Sequence, residues 1–192
     1  MKGFDRPYPR FSLCGLKCGL CPLYQMADGC PGCGGGAGNQ SCAIARCSLV
    51  HGGVEYCWQC GEYPCERYEG FFDYDSFLPV REAPRDIRRC QEIGMAAYQA
   101  ELDAKVALLE ELLSGYNDGR KKTLYCTAVN RLDLTDIQTA VEELRTKTAG
   151  IDDLPARAVA AVQVLQALAA QRGISLSLRR KPRKNKKRDG GE

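Results

Sequence analysis

The chain has 192 residues, 44% of them hydrophobic and 27% charged, with a formal net charge of +3. That length suits one domain or two small ones with a respectable core, and the composition excludes disordered and fibrous classes. Ten of the twelve cysteines fall between Cys14 and Cys65 and only Cys90 and Cys126 lie outside, so an ordinary apolar core does not organise the first third.

In chain order, the stretch from Met1 to Leu13 carries Lys2, Arg6, Arg10, Pro7 and Pro9 with no apolar run, unlike a secretory signal. Residues 12–66 are rich in Cys and Gly; Gly34-Gly35-Gly36 and Gly52-Gly53 mark turns, and no helix longer than two turns is expected before Pro64. A short helix is expected at Pro64-Cys65-Glu66, since proline suits a first turn. A second runs from Arg85 to Ile93 and stops at Gly94. A third, Met95 to Leu113, places Met95, Tyr98, Leu102, Val106, Leu109 and Leu113 at three- and four-residue steps, an amphipathic stripe. Gly115 to Lys122 reads as a turn, and Thr123 to Asn130 as a short helix or an extended piece. Thr135-Asp136-Ile137-Gln138 has the form of a capping box opening a helix to Lys147. Asp153-Leu154-Pro155 opens the last helix and Gly173 closes it, with Leu154, Ala158, Val162, Leu165 and Leu168 as its inner face.

No segment reaches the roughly 18 uninterrupted apolar residues of a membrane span. The nearest, Ala158 to Ala170, is broken by Gln163 and Gln166. The expected location is therefore cytoplasmic, where thiols stay reduced and dense cysteines point to metal rather than to disulfides. Residues 179–192 form a basic tail expected to be disordered. Eight Lys and Arg against two acids give the tail +6, and the remaining nineteen against twenty-two leave the body at −3.

Four cysteine patterns carry the chemistry: Cys14-x3-Cys18-x2-Cys21-Pro22, Cys30-Pro31-Gly32-Cys33-Gly34, Cys42-x4-Cys47, and Cys57-Trp58-Gln59-Cys60-Gly61 followed by Pro64-Cys65. Two residues between cysteines let a tight turn aim both thiolates at one metal, with sulfur about 2.3 Å from zinc. A following glycine permits a positive φ, and turn amides can then bond the sulfurs and damp their charge. The knuckles at Cys30 and Cys57 share this form and pair as in a zinc ribbon, although the 23 residues between Cys33 and Cys57 exceed the usual spacing of about 15–20. Cys14, Cys18 and Cys21 match the cluster spacing of radical S-adenosylmethionine enzymes, but no run of strands is present to build their barrel. A fourth thiolate closing that site is the favoured alternative, with Cys65 leading and Cys42 and Cys47 behind it. Zinc and iron–sulfur clusters both accept four thiolates.

His51 is the sole histidine and is read as a surface turn; the lack of others argues against histidine base catalysis. Trp58, Tyr56 and Tyr63 are read as a lid that dries the metal rather than as a stacking platform. Tyr116-Asn117-Asp118-Gly119-Arg120 is turn chemistry or the rim of a pocket. Cys90 and Cys126 are expected in the helical core. The tail can contact nucleic acid or another anionic surface weakly through charge alone, or serve only to solubilise the chain.

The ordered series Cys14-Gly15-Leu16-Lys17-Cys18-Gly19-Leu20-Cys21-Pro22, Cys30-Pro31-Gly32-Cys33, Cys42 to Cys47, Cys57-Trp58-Gln59-Cys60 and Tyr63-Pro64-Cys65-Glu66 resembles the bacterial and archaeal family called domain of unknown function (DUF) 3795. The likeness covers about residues 12–147, with Ile93-Gly94 and the Tyr116–Arg120 turn resembling longer members. It implies a metal-binding protein and names no substrate.

The sequence therefore leads to a mainly α fold with a small irregular cysteine-rich metal-binding region, α+β at most with short ribbon strands. Residues 1–66 form the metal region, 67–178 a helical region packed on it, and 179–192 the tail. The metal candidates are Cys14, Cys18, Cys21, Cys30, Cys33, Cys42, Cys47, Cys57, Cys60 and Cys65, holding two zinc ions or, alternatively, a [4Fe-4S] cluster at Cys14/Cys18/Cys21. The functional expectation is a zinc-stabilised binding or interaction module; the alternative is an iron–sulfur redox protein or enzyme.

Overall fold

The computed structural model describes residues 3–36 and 42–182. Six α-helices follow one another: α1 (Ala43–Val50), α2 (Ala83–Ile93), α3 (Met95–Tyr116), α4 (Lys122–Arg131), α5 (Leu134–Lys147) and α6 (Leu154–Gln171). No strand occurs among the described residues, so the expected ribbon strands are absent there. The backbone of the cysteine region is instead built from α1, single 3-10 turns and glycine turns.

Helix α3 is the axis of the helical body and packs against α2, α4, α5 and α6. Its stripe is deeper than the sequence spacing alone required: Tyr98, Leu102, Val106, Leu109, Leu112 and Tyr116 are all buried. A helix with neighbours on several sides needs apolar surface on several faces. Gly94, at φ 83°, ends α2 and turns the chain into α3. The turn after α3 closes as Asn117 and Asp118 accept backbone N–H bonds from Gly119 (3.2 Å) and Arg120 (3.0 Å), which favours turn chemistry over a pocket rim. The ambiguous segment after it is helical, and its Tyr125, Cys126, Ala128 and Val129 are buried. Cys90 and Cys126 lie in this core as expected.

Two expected details differ. Helix α5 begins at Leu134 with Asp133 before it, and no side chain caps it. Thr135 lies inside the first turn, where its carbonyl accepts from Thr139 Oγ1 at 3.0 Å, so the capping box does not form. In α6, Asp153 caps as expected, accepting from the Ala156 N–H at 2.8 Å. The inner face, however, is Ala158, Ala161, Leu165 and Ala169, while Leu154 is exposed. The small residues let α6 lie close against α5 and α3.

The cysteine region is tied to the helices in three ways. Phe11, Leu20, Tyr56 and Trp58 join the helical core, with Tyr56 and Trp58 stacked at 4.4 Å and Phe11 meeting Tyr98 at 4.7 Å. Gly15 packs directly on α2: at φ 90°, a Cβ added there would meet Ile87 Cδ1 at 2.8 Å. Lys17, buried in the same loop, donates to Asp86 Oδ1 at 3.0 Å and to the Asn130 carbonyl at 2.7 Å.

The chain after α6 runs extended and is anchored. The Arg179 N–H donates to Asp75 Oδ2 and the Asp75 N–H to the Arg179 carbonyl, both at 2.8 Å. Arg180 Nη1 donates to the Ser76 carbonyl at 2.7 Å. The first two residues assigned to the tail are thus bonded to the body, and residues 183–192 lie outside the described residues. No helix among the described residues is long and apolar enough to cross a membrane.

Candidate metal centre

Two of the Cys-x2-Cys segments are built alike. Cys18–Leu20 and Cys57–Gln59 are single 3-10 turns, each closed by a bond from the second cysteine's N–H to the first one's carbonyl at 3.0 Å. Such a turn brings residues three apart onto one side. The Cys30–Cys33 knuckle is held differently, by a bond from the Cys33 N–H to the Pro9 carbonyl at 2.9 Å. Gly32, at φ 88°, makes this approach possible, because a Cβ there would sit 2.5 Å from the Pro9 oxygen. Gly34 takes the expected positive φ, whereas Gly61 after the Cys57 knuckle does not.

Eight of the ten thiols fall into two groups. Cys18 has Cys14, Cys21, Cys30 and Cys33 as electrostatic neighbours, and Cys21 has Cys30. The chain path thus brings Cys18-x2-Cys21 toward Cys30-x2-Cys33. The second group, Cys47, Cys57, Cys60 and Cys65, lines a small cavity of about 30 Å³ together with His51, Tyr63, Arg67 and Tyr68. Cys14 lies between the groups, with Cys33, Cys42 and Cys57 nearby. Cys57 has Cys65, Cys47 and also Cys33 of the first group as electrostatic neighbours. Among the described residues, no group of three or more His, Cys, Asp or Glu side chains is arranged to hold a metal ion.

Burial dominates the thiol electrostatics. It pushes Cys14 up to about 12 and Cys57 up to about 11, and it raises Cys18, Cys21 and Cys33 as well. Several groups oppose the rise: the peptide N–H groups of Leu23 and Tyr24 at Cys21, the N–H of Leu13 and the Arg6 guanidinium at Cys33, and the Tyr68 hydroxyl at Cys57. All are donors that favour sulfur in its charged form.

Four supporting residues were not singled out from the sequence. Arg6 is 9% exposed, donates through Nη1 to the Phe11 carbonyl at 2.6 Å and lies over the Tyr56 ring at 4.7 Å. Its Nε and Nη2 are buried without a partner, as is the Tyr68 hydroxyl. Ser12 Oγ lies 3.1 Å from Cys14 Sγ, and Arg67 faces Cys47 in the second group. Arg6 directly follows Asp5 and Arg67 directly follows Glu66, an ordinary run of mixed charge that gives no local signal of such a role. His51, expected on a plain surface turn, has its Nδ1 3.4 Å from Cys47 Sγ. Tyr56 and Trp58 beside the second knuckle pack on one another and on Phe11, whereas Tyr63 packs edge-on against Tyr68 at 5.1 Å.

Compared with protein-family models, with curated proteins and with solved structures, the chain has no match.

Proposed function

We propose that this chain is a metal-binding protein whose N-terminal cysteine region is stabilised by two zinc ions and serves as a binding or interaction module. One ion is assigned to Cys18, Cys21, Cys30 and Cys33. The other is assigned to Cys47, Cys57, Cys60 and Cys65, with His51 beside it, leaving Cys14 and Cys42 between the two. The observation that carries this reading is the set of buried donors without partners beside the thiols, Arg6 Nε and Nη2 near Cys33 and the Tyr68 hydroxyl near Cys57. A buried donor left unpaired costs about 1–3 kcal/mol. Thiolates ligating zinc would give such donors acceptors, and Arg6 would offset part of the −2 charge of a four-thiolate zinc site. The resemblance to the DUF 3795 family implies the same chemistry.

Zinc would supply folding energy here, not a reactive centre, because four thiolates leave no open position. In this reading the protein's own contribution would be to bring four sulfurs to each ion, to dry the second site with Ile44, Tyr63 and Tyr68, and to supply donors to the sulfurs. Chelation of the full chain should therefore disturb the stack of Tyr56 on Trp58, the sole tryptophan, and shift its fluorescence. Unchanged fluorescence after complete chelation would count against the assignment.

A further inference from the structure

A second site lies outside the cysteine groups. A cavity of about 550 Å³ opens between α2, α3 and the start of α5, within the size range of small-molecule sites. Its inner wall carries a buried ion pair, Lys17 with Asp86 Oδ1 at 3.0 Å and Oδ2 at 2.8 Å, the second oxygen making no regular hydrogen bond. Beside them stand two buried groups with unused capacity. Lys105 is 8% exposed and donates once, to the Leu132 carbonyl at 2.5 Å, and it has no carboxylate partner among the described residues. Tyr98 is 4% exposed and lines the cavity, and its hydroxyl faces the Asp86 carboxylate without making a hydrogen bond of regular geometry. At the mouth, Arg85 is paired with Asp133 at 3.1 Å and Arg89 with Glu101 at 2.6 Å. Arg88 lines the same cavity with no ion pair among the described residues.

We propose that this cavity binds a small hydroxylated monocarboxylate, its carboxylate held between Lys105 and Arg88 and a hydroxyl held by Tyr98. A buried amine with no ion pair of its own and a buried phenol without a regular hydrogen bond are both costly, and one ligand of this class engages both. The acidic residues around the cavity set the ligand's charge. Asp86, Glu92, Glu101 and Asp133 also line it, so a phosphate dianion would meet four carboxylates, whereas one carboxylate matches the unpaired cations. The volume leaves room for a hydroxylated chain beyond the carboxylate.

The test is calorimetric titration of the full-length protein with gluconate, with glucose as the neutral control and inorganic phosphate as the bare oxyanion. Gluconate is expected to bind, and glucose and phosphate to bind about tenfold more weakly or not at all. Arg88→Gln, on an exposed side chain, and Tyr98→Phe should each weaken gluconate about tenfold, and Lys105→Met should remove it. Absence of gluconate binding up to about 10 mM, equal binding of glucose or phosphate, or unchanged binding in Arg88→Gln and Tyr98→Phe would each overturn the proposal. If Lys105→Met fails to fold, the other two variants decide the matter.

Discussion

At the residue scale, two lysines behave contrary to their usual place at the surface. Lys17 and Asp86 form an ion pair with side chains 3% and 7% exposed. Removing one member strands a buried charge, whereas replacing both with apolar residues is often tolerated. Lys17→Met alone should lower unfolding free energy by about 3–5 kcal/mol, and adding Asp86→Leu should restore most of it. Urea denaturation of the three proteins checks this, and an additive double variant would contradict it. Lys105 shows a different cost. Its amine is pushed down to about 7 by burial first and then by Lys17, with Arg85 adding to the effect and Asp86 and Asp133 opposing it. The unfolded chain titrates near the ordinary 10.5. Below about 7 both states hold the proton and the native state bears the full penalty; between the two values the unfolded chain binds more protons, so stability rises with pH; above 10.5 the penalty is gone. Lys105→Met should therefore stabilise the protein at pH 7, the relieved burial penalty outweighing the about 1 kcal/mol lost with the Leu132 bond. That gain should shrink as pH approaches 10.5, and a gain independent of pH would contradict the assignment. Neither lysine was legible in the sequence, because a hydrophobic pattern treats every lysine as solvent-facing.

At the element scale, the contact between the Cys14–Cys18 loop and α2 depends on a missing side chain. Gly15 combines a positive φ with a backbone pressed onto Ile87 and the Ala83 carbonyl. Gly52 has a comparable φ of 77° but open space around it. Gly15→Ala should cost about 3 kcal/mol or more, and Gly52→Ala only about 1 kcal/mol. Equal losses in thermal melts would show that the loop does not pack on α2 this closely. Helices were the most legible elements, because α3 and α6 repeat apolar residues at helical spacing, Gly94 separates α2 from α3, and Gly173 follows the end of α6. Helix boundaries were less so: Thr135 and Gln138 have the composition of a capping box, yet Asp133, two residues earlier, precedes the helix. Leu154 was expected inside, but small residues on the next face of α6 pack more closely. The local Cys-x2-Cys turns could be read directly. Their pairing could not, because spacing defines a turn while the path from Cys21 through Cys30 decides which turns meet.

At the scale of the whole molecule, the charge balance depends on the proposed metal. The body without residues 179–192 has a formal charge of −3, and two zinc ions held by eight thiolates would add −4. Arg179 and Arg180 fasten the end of the chain to the segment at Phe72–Ser76. The five further cations of residues 183–192 lie beyond that anchor. Deleting 183–192 should leave stability unchanged within about 0.5 kcal/mol, since it spares the Asp75–Arg179 bonds. A large loss on thermal melting would show that the tail packs on the body. Twelve cysteines thus divide into ten that shape the first third and two in the helical core. The measurement that bears most directly on the central claim is the metal content of the full chain, purified anaerobically without added metal. The account predicts a colourless protein with about two equivalents of zinc. A folded protein free of metal with freely reacting thiols, or a brown one absorbing near about 400 nm, would contradict it.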